Sequence, residues 1–461
     1  MMEQSERLEK QPIRKLLFDL ALPATVGLLV MASYNVVDTI FVSRVVGNVG
    51  VAALSIAFPV QMIIMAIAGA IGLGGASVIS RLLGAKNIDK ANQVFGNVIS
   101  LVIIISLAGL LFATRMLTPL LYLFGSTETI LPYARDYLGI ILYGTVFIAF
   151  GFSVPHIVRA EGNAGIAMIS MLISAGLNVV FTPFFIYVLG MGVKGSALGT
   201  VLAKGLMALY LFFYFLRGKS TLSYNLSNLM LKLDIIKEIL SIGASSFVRQ
   251  AAGSIMFIVA NHKLGFYGGD TAIAVLGIIN RLQAFALMPI LGIVQGMMPI
   301  VGYNYGACLK ERVRETIYLG FKIATIAATL VFIIIMVFPR FLMLIFTENS
   351  LTIEMGIIAL RIMFAFSIFN GIQMVAGGVF QALGSARAAF LLSMSRQILF
   401  LIPALFVLPL VFKLNGVWLS FPVADILSFF LALLFIKINF DIFKEGGHST
   451  QTGPSLSEDV C

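Results

Sequence analysis

The sequence predicts an all-α membrane protein: twelve transmembrane helices in two pseudo-symmetric six-helix lobes. Three observations carry this. Of 461 residues, 59% are hydrophobic and only 11% are charged, and the mean hydropathy is +1.01. Apolar runs of about 20 residues or more recur from end to end, each long enough to cross roughly 30 Å of hydrocarbon as a helix. The pattern of runs then repeats at a fixed spacing. Backbone polar groups in lipid must be satisfied within the segment, so the spans are helices. The alternating segments of about ten residues that mark a membrane barrel do not occur.

Breaks in hydropathy place the spans near 15–43, 49–81, 92–117, 131–160, 163–189, 193–216, 237–262, 271–304, 314–343, 352–383, 386–412 and 415–440. Span 1 follows the charged stretch MMEQSERLEKQPIRK, which is too polar before its first apolar run to be a cleaved signal. The breaks up to span 6 fall at Arg44, "RLLGAKNIDK", "STETILP", "RAEGN" and "LGMGVKG". A polar linker, "RGKSTLSYNLSNLMLKLD" (217–234), leads to span 7. The later breaks fall at "HKLGFYGGD", "YGACLKERVR", "PRFLMLIFTENS", "GSAR" and "KLNG". The end of the chain, "KEGGHSTQTGPSLSEDVC", is polar and rich in Gly and Ser, and residues 446–461 read as a disordered tail.

A net charge of +10 invites a nucleic-acid reading, but its distribution argues otherwise. Basic residues crowd one set of span ends: the N-terminal stretch, Arg81, Lys86, Lys90, Arg217, Lys310, Arg312 and Lys437. The opposite ends are sparser, with residues such as Arg44, Arg115, Lys194 and Arg340. This positive-inside bias puts both termini in the cytoplasm and calls for a bilayer rather than a nucleic acid as partner.

Two stretches align without gaps at an offset of 222 residues. "VAALSIAFPVQ" (51–61) falls on "IAVLGIINRLQ" (273–283), Gly74 on Gly296, and Gly162 on Gly384. The domains implied are an N-terminal lobe, 1–225, and a C-terminal lobe, 226–445. Parallel repeats of this kind are a transporter architecture.

The chain is then identified by resemblance. "PATVGLLVMASYNVVDTIFVS", "RLLGAKNIDKAN", "RAEGN", "GIINRLQAF", "PIVGYNYGA" and "FQALGSARAA" are similar to stretches of the multidrug and toxic compound extrusion (MATE) family, DinF-like branch. The resemblance covers nearly the whole chain. It implies a monomeric efflux antiporter of the cell membrane that exchanges protons or Na⁺ for amphipathic, often cationic small molecules. Neither a cofactor nor a catalytic reaction follows from it. The spans hold no metal cluster and no nucleotide motif, so the chain does not read as an enzyme, and its energy must come from an ion gradient. The alternative within the wider superfamily is a lipid-linked oligosaccharide flippase.

Asp38 is the feature to explain. A carboxylate within an apolar span is costly, which makes it a functional candidate. It can hold a proton, a Na⁺ or a cationic ligand, but only one at a time. Tyr34 lies one turn away on the same face. Asn178 and Thr182 of span 5 and Thr200 of span 6 fall at similar depth. By resemblance, Asp38, Asn178 and Thr200 match the family's cation site, with Tyr34 near it. For Asn178 a plain interhelical hydrogen bond is the competing reading. Two departures stand out: Thr182 occupies a place where the family commonly has Asp, and Pro155-His156 replaces an Asn pair. One negative charge is thereby lost, which tilts the coupling ion toward H⁺ and away from a Na⁺ at Asp38.

Lys204, one turn beyond Thr200, either pairs with Asp38 or extends its ammonium to water. His156, Lys204, Arg249, Arg281 and Arg361 are candidates to line a substrate cavity. Arg396 and Asp425 sit at matching depth on adjacent spans and form an expected ion pair. Pro23 is either a simple kink or a hinge. Trp418, the only tryptophan, reads as an interfacial anchor.

Overall fold

The computed structural model describes residues 3–218 and 220–438, so the tail expected at 446–461 lies outside the described residues. Every regular element among the described residues is helical.

Two helices, Ile13–Gly84 and Leu233–Gly306, run for 72 and 74 residues. Straight, each would be ~110 Å long, several times the bilayer core. A glycine breaks each one: Gly47 (φ 69°, ψ −158°) and Gly269 (φ 67°, ψ −165°). This backbone is open almost only to glycine, and it turns one long helix into two spans. Eight apolar helices qualify as spans, and two bent pairs, Leu131–Tyr143 with Thr145–Ala160 and Ser350–Met363 with Ile368–Ala382, bring the total to ten. Leu233–Gly306 and Ala386–Ile438 each hold two spans, separated at Gly269 and Lys413, which gives the expected twelve.

The repeat is visible in the backbone itself. Left-handed residues recur 222 positions apart: Gly47 and Gly269, Lys86 and Cys308, Gly162 and Gly384. Helices Ile88–Arg115 and Lys310–Val337 begin and end at that same offset. Gly192 (φ 54°, ψ −129°) has its counterpart in Lys413 (φ 51°, ψ −128°), where a lysine holds a glycine's conformation.

The chain packs as two units. Among the described residues, one contains 3–10 and 26–243, the other 11–25 and 244–438. The division by packing therefore differs from a cut at 225/226 by two helix segments. Residues 11–25 of span 1 pack with the C-terminal unit, and residues 233–243 of span 7 pack with the N-terminal unit. Equivalent glycines admit the two segments. A Cβ on Gly74 would strike the carbonyl of Ile239, and a Cβ on Gly296 would lie 2.6 Å from the nitrogen of Ala21. Arg81, 2% exposed, reaches Glu238 at 2.9 Å in the first unit. In the second, the Arg312 guanidinium donates to the Gln11 carbonyl at 2.7 Å.

The second unit's core gathers Leu264, Leu276, Leu360, Leu405, Phe421 and Trp418. Trp418 is only 1% exposed, which corrects the interfacial-anchor expectation. Hydropathy located it near a span end but could not say which way the indole turns. The expected pair is present: Arg396 Nε donates to Asp425 Oδ1 at 2.6 Å. The linker is clamped as well. Buried Glu161 accepts from Ser220 Oγ at 2.6 Å and from the Thr221 amide at 2.9 Å. Burial pushes its carboxyl up to about 7 from 4.5, against the pull of these hydrogen bonds.

Candidate functional site

The site lies within the N-terminal unit and is assembled by spans 1, 5 and 6. Span 6, Val193–Leu216, presents Ser196, Thr200 and Lys204 at a spacing of four residues, and so on one face. Span 5, Ala164–Pro183, continues into a π-helical turn, Phe184–Val188. Pro183 lacks an N–H, and the widened turn that follows keeps the helix going; such turns frequently mark functional sites. Glycine lets spans 5 and 6 approach closely. A Cβ on Gly199 would sit 3.0 Å from the Thr182 nitrogen and hydroxyl.

The polar residues expected at the site fall into two hydrogen-bonded pairs. Thr182 Oγ1 donates to Asp38 Oδ1 at 3.1 Å, and Asn178 Nδ2 donates to Thr200 Oγ1 at 3.0 Å. Asp38 is 8% exposed, Asn178 2% and Thr182 0%. Ser196, also at 0%, was not anticipated, and its hydroxyl lies 3.1 Å from each oxygen of Asp38. Its place one turn before Thr200 was the available signal. Asn178 Oδ1 is buried with no hydrogen-bond donor among the described residues.

The charge balance is lopsided. Among the described ion pairs none involves Asp38, so no Lys or Arg nitrogen lies within 4.0 Å of it. A buried carboxylate with only neutral partners is tolerable if it is protonated or if a cation joins it. The donor set (carboxylate, hydroxyls and one free amide oxygen) is all oxygen, as a hard cation requires. No cluster of three His, Cys, Asp or Glu residues suits a transition metal among the described residues.

The remaining candidates fall elsewhere. Lys204 does not pair with Asp38. It lies eight residues along span 6 from Ser196, ~12 Å of helix, and its Nζ stands 5.6 Å from the centre of the Tyr34 ring. His156 is buried with its Nδ1 2.8 Å from Arg159 Nη2. In the other unit, Arg249 is half-buried near Ser246 while Arg281 and Arg361 are exposed. A separate apolar cavity of about 390 Å³ lies among spans 2, 3 and 4, lined by residues such as Val60, Ile64, Ile67, Phe112 and Leu142. None of the residues around Asp38 reaches it.

Comparison with known proteins agrees with this organisation. A model of the MatE family matches residues 23–184 and again 245–407, so its two matches start 222 residues apart. The chain is 30% identical over 442 residues to the Multidrug export protein MepA of Staphylococcus haemolyticus (strain JCSC1435), covering 94% of this chain and 95% of the relative. It superimposes on the solved MATE multidrug transporter DinF-BH with a TM-score of 0.89 and 46% identity, over 95% of this chain and 99% of that one. A MATE structure in the bent conformation gives a TM-score of 0.90 at 26% identity, with 95% and 98% covered.

Proposed function

The chain belongs to the MatE family of multidrug efflux transporters, and on that premise we propose that it is a secondary antiporter driven through Asp38. A proton, or Na⁺, enters as an amphipathic, often cationic compound leaves, by alternating access. One observation carries the reading: a carboxylate that is 8% exposed and held by two neutral hydroxyls, with no basic partner within 4.0 Å among the described residues. Such a group accepts one positive species at a time. Loading it with the coupling ion expels a cationic substrate, and the substrate expels the ion. Asn178, Thr182, Ser196 and Thr200 supply the oxygens that would surround that ion, and a single carboxylate favours H⁺ over Na⁺.

In this reading Pro23 serves as the hinge of span 1. It cannot donate to the carbonyl of Asp19, and span 1 passes from one packing unit to the other between Thr25 and Val26, just beyond it. One charge crossing about 150 mV yields ~3.5 kcal/mol, enough for a roughly 300-fold gradient of a neutral substrate. The protein works as a monomer in the cell membrane, with both termini cytoplasmic. The flippase alternative would use Arg249, Arg281 and Arg361 for a pyrophosphate headgroup and would not need Asp38 to titrate.

Proteoliposomes with an imposed pH or Na⁺ gradient test this. Dye export should follow the gradient in the wild type and stop in Asp38→Asn. Export by Asp38→Asn at the wild-type rate would overturn the proposal.

A further inference from the structure

The cavity of about 390 Å³ among spans 2, 3 and 4 plays no part in the exchange cycle. It is a pit rather than a sealed void. Ile71 and Val102, both 1% exposed, close its floor, while Ile63 and Phe112 at its mouth are 51% and 63% exposed. Gly109 is exposed there too, and a Cβ on it would meet nothing within 4 Å. The pit follows span 3 from Phe112 to Val102, ten residues and so ~15 Å of helix. That is the depth of one leaflet in a hydrocarbon core of about 30 Å. The opposite wall is the bend of span 4, where Leu142 and Thr145 flank a 57° turn. Water does not suit this space. Only Ser106 and Thr145 among the lining residues carry a polar side-chain atom, and the Thr145 hydroxyl already donates to the Ile141 carbonyl at 3.3 Å. An apolar cavity of about 150 Å³ is enough to stay dry and take up benzene, and the mouth of this one opens at bilayer depth, where hydrocarbon is the solvent. A charge marks one end. Arg115 lies three residues beyond Phe112, on the same face at the end of span 3. It is exposed and has no carboxylate within 4.0 Å among the described residues, whereas the nearby acid at the start of span 4, Asp136, is paired with Lys194 at 3.3 Å.

We propose that this pit is a lipid site: it holds one acyl chain of an anionic phospholipid, with the phosphate on Arg115. The depth of the pit matches a chain from a single leaflet, and the span end places Arg115 where the headgroups of that leaflet begin. A guanidinium binds phosphate through two parallel hydrogen bonds, and an anionic headgroup supplies the counter-charge that the described residues do not. The chain lies against the bend of span 4 and completes the packing there. This lipid is a resident part of the N-terminal unit and not a transported compound, since none of the residues around Asp38 lines the pit.

Native mass spectrometry of the delipidated protein in detergent, titrated with dioleoyl phosphatidylglycerol, resolves the successive lipid-binding steps. In the wild type the first lipid should bind roughly tenfold or more tightly than the second, as expected for a charge-assisted hydrogen bond added to chain burial. Gly109→Phe puts a ring into the pit where a side chain has room, and should erase that gap. Gly109→Leu should do the same, and Gly109→Ala should keep the gap. Arg115→Gln should weaken the first step about tenfold and leave the second unchanged. Phosphatidylcholine with the same chains should show a smaller gap than phosphatidylglycerol. Binding of a cationic dye at the wild-type affinity shows that each variant is folded. A wild type without a gap overturns the site, and so does a gap that persists in both bulky Gly109 variants. An unchanged first step in Arg115→Gln, or equal gaps for the two lipids, overturns the anionic headgroup. Each of these results leaves gradient-driven export through Asp38 standing.

Discussion

The ion pair between Arg396 and Asp425 allows a quantitative test of how the C-terminal unit is held together. Asp425 is 1% exposed and Arg396 15%. The carboxylate accepts Arg396 Nε at 2.6 Å and Asn370 Nδ2 at 3.3 Å. In Asp425→Ala the guanidinium stays buried with no counter-charge, which costs about 3–5 kcal/mol. At about 2–4 °C per kcal/mol for a unit of this size, the melting temperature should drop by roughly 6–20 °C. Replacing both residues by leucine removes the charges together and should recover most of the loss. The assay is intrinsic to the protein. Trp418, its only tryptophan, is buried in this unit's core two turns before Asp425, so tryptophan fluorescence reports this unit alone. An Asp425→Ala melt within about 2 °C of wild type would refute the reasoning. So would a double variant as damaged as the sum of its two single changes.

Two further outcomes follow from the backbone and the linker. Lys413→Gly removes side-chain strain at φ 51°, ψ −128°, where the equivalent residue is Gly192, and should stabilise the C-terminal unit by about 1 kcal/mol, read as a rise in the same tryptophan melt. The Glu161 carboxyl, raised to about 7 from 4.5, binds protons in the folded clamp over a range where the released linker does not. The clamp should therefore be firmest at low pH and loosen as pH rises from 4.5 through 7, by at most about 1.4 kcal/mol per unit. Hydrogen exchange of the 217–234 segment, corrected for intrinsic pH effects, should show more protection at about pH 6 than at about pH 8, and Glu161→Gln should erase that difference.

Much of this was legible in the sequence because polar residues are conspicuous against hydrocarbon. Asp38, Asn178, Thr182 and Thr200 stand out by similar depth together with the family resemblance, and Arg396 with Asp425 by matching depth. The breaks at Gly47, Gly269 and Lys413 coincided with dips in hydropathy, although nothing in the lysine itself announces a left-handed backbone. Ser196 was missed because serine is common in packed membrane helices and carries no charge. Trp418 was misplaced because hydropathy gives depth and says nothing of azimuth. The exchange of helix segments was also hidden. A repeat in sequence says which segments resemble each other, not which ones they pack against.

That exchange has a consequence for the protein's origin. A half-length chain with this fold would keep a sticky, incomplete bundle, because residues 11–25 and 233–243 each fill a groove in the unit coded by the opposite half. Before fusion, two such chains would have had to trade their leading helices to be complete. Severed today at the linker, the halves should accumulate only when made together.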